Sequence, residues 1–250
     1  MKRLELIGLE NIGEVSAGDS LAERIAAACA RQAIELCDDD VLVVAQKIVS
    51  KAEGRSLPLT ALRPTERARE LGAELGKEPE LVEAILQESR RIVRSGGKAL
   101  IVETHHGFVC ANAGVDQSNV GLGQVTLLPQ DPDRSARALR AELQKCLGKS
   151  PAVIISDSFG RAWRLGTVDV AIGVAGMKPI KDERGSQDRY GYQLKAAVAA
   201  VADEIAAAAE LVMGKRGGVP VVLVRGYERE KKEDGSAREL IRPPAEDLFR

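Results

Sequence analysis

The hydrophobic positions of this chain change their period several times, and each change marks an element. Residues 4–7 alternate weakly and predict a short first strand. Residues 8–15, with Gly8 and Gly13, read as a loop that either brings backbone amides near a ligand or merely connects. Ser20 and Glu23 have capping-box form, and Leu21, Ile25, Ala28 and Cys29 follow at helical spacing, so a helix is predicted to about residue 36. The apolar run at 41–45 is short enough for a central strand. Residues 65–75 and 79–94 predict two helices, the second with Leu81, Ala84 and Ile85 on one face. Strands are expected at 99–103 and 107–111, joined through Thr104, His105 and His106. Adjacent strand residues point to opposite faces, so the two histidines read as a hairpin tip rather than as ligands of one ion.

Residues 127–129 close a further strand, and 133–147 form an amphipathic helix with Leu139, Leu143 and Leu147 on one side. The β-branched run from Val153 predicts a buried strand whose end carries Ser156, Asp157 and Ser158 before the breaker Gly160. A strand at 167–174, a turn-rich segment at 182–192, an alanine-rich helix at 192–213 (the longest expected) and a last strand at 219–224 follow. The charged stretch at 225–235 is expected to be mobile.

Composition narrows the functional classes. With 36 Lys+Arg against 37 Asp+Glu, the 250 residues lack the basic excess of a nucleic-acid binder, so small molecules or a second subunit are the expected partners. Cys29, Cys37, Cys110 and Cys146 form no Cys-x-x-Cys pair and no zinc spacing, which fits reduced thiols in the cytoplasm. The most apolar tract, 194–213, contains Lys195, Asp203, Glu204 and Glu210, too many charges for a membrane span. The first residues show no secretory leader.

The candidate chemistry lies where polar side chains leave apolar strands. Asp157 and the Ser158 hydroxyl are hard oxygen donors suited to Mg²⁺ or Mn²⁺, and Arg161 and Arg164 follow within reach of an anion. The same residues also suit an ordinary turn with solvated arginines. Asp116, in a polar loop after a strand, is the natural second ligand. Gln46, Lys47, Ser50, Lys51 and Arg55 emerge from the 41–45 strand as phosphate binders often do. Gly148-Lys149-Ser150 lacks the earlier glycine of a P-loop and reads as a helix C-cap, and Gly121-Leu122-Gly123 lacks the rest of a dinucleotide fingerprint. Lys215 and Arg216 follow a helix C-terminus; they would meet an anion only if the loop after that helix folds back.

Four motifs together carry a resemblance: Asn112-Ala113-Gly114-Val115-Asp116-x-Ser118-Asn119, Ile155-Ser156-Asp157-Ser158-x-Gly160-Arg161, Val49-Ser50-Lys51-Ala52-Glu53-Gly54-Arg55 and Lys178-x-x-Lys181-Asp182. In this order along nearly the whole chain they resemble the coenzyme F420-0:L-glutamate ligase family. The resemblance implies an α+β fold of mixed sheets and flanking helices, with two subdomains in one catalytic unit spanning residues 1–250, and a homodimer. It implies a GTP-dependent ligase that joins L-glutamate to a deazaflavin precursor, coenzyme F420-0, and then adds a γ-linked glutamate, with two divalent metals (Mg²⁺ or Mn²⁺) and K⁺. Carried over by position, Asp116 and Asp157 match the first metal's ligands and Ser158 the second's. Ile12, Gly13, Glu14, Val15, Gln46, Lys51, Asn119, Met213, Gly214, Lys215, Arg216, Gly217 and Gly218 match nucleotide positions. Two departures stand out: Gln46 replaces a serine, and Lys215 stands where some members have an acid that helps to hold a metal.

The chemistry agrees, since a carboxylate must be activated before an amine can attack it, and the activated substrate is strongly anionic. Arg161, Arg164, Lys178 and Lys181 are the candidates for its anion pocket. A metal-dependent phosphohydrolase and a non-catalytic nucleotide-binding protein remain the competing classes.

Overall fold

The computed structural model describes residues 3–97 and 99–248. In chain order the elements are β1 (Glu5–Gly8), α1 (Leu21–Arg31), β2 (Val41–Ala45), α2 (Gln46–Ala52), β3 (Ser56–Pro58), α3 (Glu66–Leu75), α4 (Pro79–Gln87), β4 (Ser89–Gly96), β5 (Ala99–Thr104) and β6 (Val109–Ala111). They continue with β7 (Gln124–Thr126), α5 (Pro132–Leu147), β8 (Ala152–Arg161), β9 (Arg164–Ala175), β10 (Lys181–Asp182), β11 (Val198–Ala199), α6 (Val201–Met213) and β12 (Val221–Arg225). This is an α+β fold of mixed sheets.

The main sheet has the order β1-β12-β2-β8-β9, and within it only β2 and β8 run parallel. β2 sits in the middle, and Val41 to Val44 are completely buried because both faces are covered. The period of two divides them cleanly. Leu42 and Val44 join α1 and α5 in one core with Val153 and Ile155, while Val41 and Val43 join α6 in the other with Ile154 and Val222. Each fully buried aliphatic side chain of this kind contributes about 1.5–3 kcal/mol of transfer free energy. A third core gathers α3, α4 and the three-stranded sheet β4-β5-β6 around Leu71, Ile85, Leu100 and Val102.

Several sequence expectations are corrected. α1 ends at Arg31, not near residue 36, because Ala33 takes a left-handed φ of 54° and turns the chain toward β2. The helix expected over 79–94 stops at Gln87, and Ser89–Gly96 pairs with β5 as an antiparallel strand. The capping N–H of Glu88 returns to the last turn, and the β-branched Ile92 and Val93 beyond it suit the sheet. The helix expected over 192–213 begins only at Val201; residues 181–199 form a small arm closed by β10 and β11, and α5, with 16 residues, is longer than α6.

The alanines of α6, whose small side chains suit close packing against a sheet or a partner subunit, pack against the sheet: Ala202, Ala206 and Ala209 are buried in their own chain. Nor is 225–235 loose. Arg225 pairs with Asp40 at 2.7 Å, Arg229 donates to the carbonyl of Gly176 at 2.6 Å, and a Cβ on Gly235 would collide with the Met177 carbonyl. The histidine pair does form a connection between β5 and β6, and its rings bond backbone carbonyls of Gln87 and Pro129.

Candidate active site

The parallel pair β2 and β8 ends on one side of the sheet, at Ala45 opposite Ser156, and a cleft of about 610 Å³ opens there. Ligand sites lie outside the carboxyl ends of parallel strands because side chains and loops diverge at that point. Here, however, β8 does not end. Asp157 and Ser158, expected before a breaker at Gly160, stand inside a hairpin arm, with Ser158 opposite Asp169 and Asp157 opposite Val170. The register slips between Ile155 and Ser156, so Ile172 has no partner across the ladder. Such a bulge re-aims the side chains beside it.

The bulge is held from both sides. The Ala171 N–H, freed from the ladder, donates to Asp203 on the first turn of α6 at 2.9 Å, and the Val174 N–H donates to Asp133 on the first turn of α5 at 2.9 Å. Burial pushes the Asp203 carboxyl above its usual range. Gly173 is required because any Cβ there would lie 2.4 Å from the Pro132 carbonyl oxygen.

Alternation along β8 then gives the cleft two halves. On the face shared with Ile155, Asp157 looks toward Cys110 and Asp116. Burial pushes the Asp157 carboxyl up to about 7, with the neighbouring charges of Asp169 and Asp116 adding to the rise and the Ser158 N–H and Lys215 opposing it. The Cys110 thiol is likewise pushed up to about 12 by burial and then by Asp157.

Asp116 is placed by its own backbone, which exchanges two hydrogen bonds with Thr126 at 3.0 and 2.8 Å. The turn before it puts Asn112, Ala113 and Gly114 in succession at positive φ, and a Cβ on Gly114 would strike Leu128 at 2.7 Å. Its carboxylate accepts from the Ser118 N–H and hydroxyl and pairs with Lys47 at 2.7 Å. Burial works to raise its pKa, but the Lys47 ammonium and Ser118 outweigh that and hold it below the usual carboxylate range.

On the other face of β8, Ser156 and Ser158 donate to the two oxygens of the buried Asp169 at 2.9 and 2.6 Å. The loop after α6 does fold back: Lys215 donates to the Ser158 hydroxyl at 2.6 Å. Asp169 was not legible as a site residue, though one acid in the apolar run Val168-Asp169-Val170-Ala171-Ile172 is the signal that could have marked it.

The nucleotide candidates divide. Gly13, Glu14, Gln46, Lys51, Asn119, Met213, Gly214, Lys215, Arg216 and Gly218 line the cleft. Lys51 crosses it, pairing with Glu14 at 2.5 Å and donating to the Asn119 carbonyl at 2.9 Å. Ile12 and Val15 point into the core, so only their backbone could meet a ligand; Val15 also borders a second hollow of about 530 Å³ beyond Lys51. Gln46 is buried and accepts from Ser50 at 2.8 Å.

The expected anion pocket is not gathered here. Arg161 and Arg164 face one another at the hairpin tip, Lys178 pairs with Glu230, Lys181 pairs with Glu183, and none of the four lines the cleft. Among the described residues no three His, Cys, Asp or Glu side chains assemble as a metal cage. Asp116, Asp157 and Ser158 nonetheless meet in one cleft, and a buried carboxyl pushed toward neutrality among like charges is the setting in which a cation is gained most readily.

Comparison with known proteins bears directly on this cleft. A family described as F420-0:Gamma-glutamyl ligase matches residues 10–226. Proteins named coenzyme F420:L-glutamate ligase are similar over the full length. That of Methanothermobacter thermautotrophicus is 48% identical over 249 residues, 99% of each chain. That of Methanopyrus kandleri is 46% identical over 99% of this chain and 97% of its own, and that of Methanocaldococcus jannaschii 42% identical over 100% and 98%.

Proposed function

The chain belongs to the F420-0:gamma-glutamyl ligase family, and from that premise we propose that it is a GTP-dependent ligase forming an amide between L-glutamate and coenzyme F420-0, followed by a γ-linked second addition. The observation that carries this reading is the pairing, in one cleft, of the acids Asp116, Asp157 and Asp169 with the cations Lys47, Lys51, Lys215 and Arg216. A cleft of one sign would hold either a metal or an anion; one of both signs suits a metal-complexed polyphosphate next to a carboxylate substrate.

A carboxylate oxygen of the precursor attacks the γ-phosphorus of GTP, the bond to the β-phosphate oxygen breaks, and GDP leaves. The amine of glutamate then attacks the acyl carbon of the mixed anhydride, loses a proton, and expels inorganic phosphate. Asp116 and Asp157 would hold one divalent cation, Mg²⁺ or Mn²⁺, which offsets charge on the phosphate oxygens. Lys51, which bonds Glu14 and the Asn119 carbonyl, would exchange the Glu14 carboxylate for a phosphate oxygen. The Lys47 ammonium keeps Asp116 ionised. Ser156 and Ser158 fix Asp169, so its charge does not wander into the phosphate path.

K⁺ as an assisting ion, a homodimer and a cytoplasmic location complete the proposal. Among the described residues no helix is long and apolar enough to cross a membrane. Phosphate release tests the reaction class. A ligase releases phosphate only with both glutamate and the deazaflavin precursor present, whereas release from GTP alone at the same rate would make the protein a phosphohydrolase.

A further inference from the structure

The two metals implied by the resemblance do not fit the two halves of the cleft equally. Asp157 offers one ion carboxylate oxygens that no side chain bonds among the described residues, and Asp116 stands beside it, paired with Lys47 at 2.7 Å and bonded by Ser118. The Ser158 side offers no comparable place. Its hydroxyl already gives its proton to Asp169 Oδ1 at 2.6 Å and accepts from Lys215 Nζ at 2.6 Å, which leaves a single lone pair. The other oxygen of Asp169 is taken by Ser156 at 2.9 Å. A divalent ion on Ser158 would stand against an ammonium and compete with two hydroxyls for the one carboxylate there.

We propose that Lys215 takes the place of the second metal: the cleft holds a single divalent ion at Asp116 and Asp157, and a fixed ammonium supplies the other positive charge. The Lys215 side chain is aimed by Ser158, and Ser158 by Asp169, so the buried acid is a positioning residue for the lysine. The chain carries this charge itself, so a chelator cannot remove it. An ammonium also presents three donors, and with one used on Ser158 two remain for anionic oxygens. That the oxygens belong to a nucleotide phosphate rests on the proposed function; the cation count does not.

Titration of the metal-free protein with Mn²⁺, following the electron paramagnetic resonance signal of the free ion, reads the count directly. The expected result is one tightly held Mn²⁺ per chain, lost in Asp157→Asn. Lys215→Glu, which puts an acid beside Ser158 and Asp169, should gain a second ion at least about tenfold tighter than any further binding in the wild type. Two Mn²⁺ bound by the wild type with affinities within about tenfold of one another would overturn the proposal. So would a folded Lys215→Glu protein that still takes only one. If that variant does not fold, the wild-type count decides alone. Ligation assayed on the same sample keeps the readings apart: one ion without product removes the ligase function and leaves the cation count, and two ions with product do the reverse.

Discussion

The two faces of β8 carry the same kind of residue in opposite electrostatic circumstances. Asp157, on one face, is surrounded by burial and like charge, and its carboxyl is pushed up to about 7. Asp169, across the ladder from Ser158, is buried but has a hydroxyl on each oxygen and an ammonium one bond further on. A buried carboxylate is costly until something meets its charge. Ser156, Ser158 and Lys215 meet the charge of Asp169 as Lys47 and Ser118 meet that of Asp116, whereas no side chain bonds Asp157 among the described residues. An acid's circumstances are set by its partners: Asp169 is fixed by the hydroxyls on its two oxygens, and Asp157 stands among like charges.

The largest expected effect breaks the first half. Asp157→Asn should abolish ligation and tight divalent-metal binding while the fold persists, because the amide keeps the shape and loses the charge; near-normal product at low metal concentration would refute the role. In metal-free protein the same carboxyl should make stability depend on pH. Its folded-state pKa lies above the ordinary 3.8, so the folded state binds the proton more tightly, and stability is lost as pH rises from about 4 through about 7. The span corresponds to a loss on the order of 4 kcal/mol at most. Denaturant unfolding of the metal-free protein at pH 5 and pH 8 checks it: the wild type should weaken at the higher pH, and Asp157→Asn should not show this component.

The second half should answer differently. Asp169→Ala would leave the Ser156 and Ser158 hydroxyls without their acceptor, at a cost of about 1–3 kcal/mol per stranded buried group, and would free the Ser158 hydroxyl that aims Lys215. Here the midpoint of denaturation should fall, and the pH-dependent part should shrink because the Asp169 charge no longer helps to raise the Asp157 carboxyl. Lys51→Ala should be milder for the fold and specific for the ligand. Loss of one charge-assisted contact should weaken GTP binding by roughly tenfold or more while precursor binding holds; calorimetric titration showing the opposite order would move Lys51 to the deazaflavin side. The smallest effect is expected from Arg161→Ala with Arg164→Ala. Both side chains lie at the hairpin tip outside the cleft, so kcat should change little in the isolated chain's own site. A large loss would mean that the tip reaches a second copy's cleft, and light scattering at low protein concentration would then have to show the proposed homodimer.

Much of this was legible from residues alone. The runs at Val41 and Val153 announced buried strands because β-branched side chains with no polar interruption suit only a sheet covered on both faces. Asp116, Asp157, Lys51 and Lys215 were legible because each leaves an apolar run or a turn with a charge that a core does not need. Asp169 was hidden by the bulge: strand alternation alone does not say which face a residue takes when the register slips by one at Ile172. The later half of the helix expected over 79–94 failed for a tertiary reason, since a strand at 89–96 is stabilised by its pairing with β5, and no local window contains that partner. Arg161, Arg164, Lys178 and Lys181 do not line this chain's cleft, because nearness in sequence says nothing of where a long hairpin points.

The deciding measurement is mass spectrometry of the product made by the purified protein from coenzyme F420-0, L-glutamate and GTP with Mg²⁺. The expected spectrum shows the precursor's mass raised by one and then by two glutamate residues, with GDP formed in step and nothing added when GTP or the metal is left out. An unchanged precursor mass accompanied by GDP that accumulates without glutamate would contradict it.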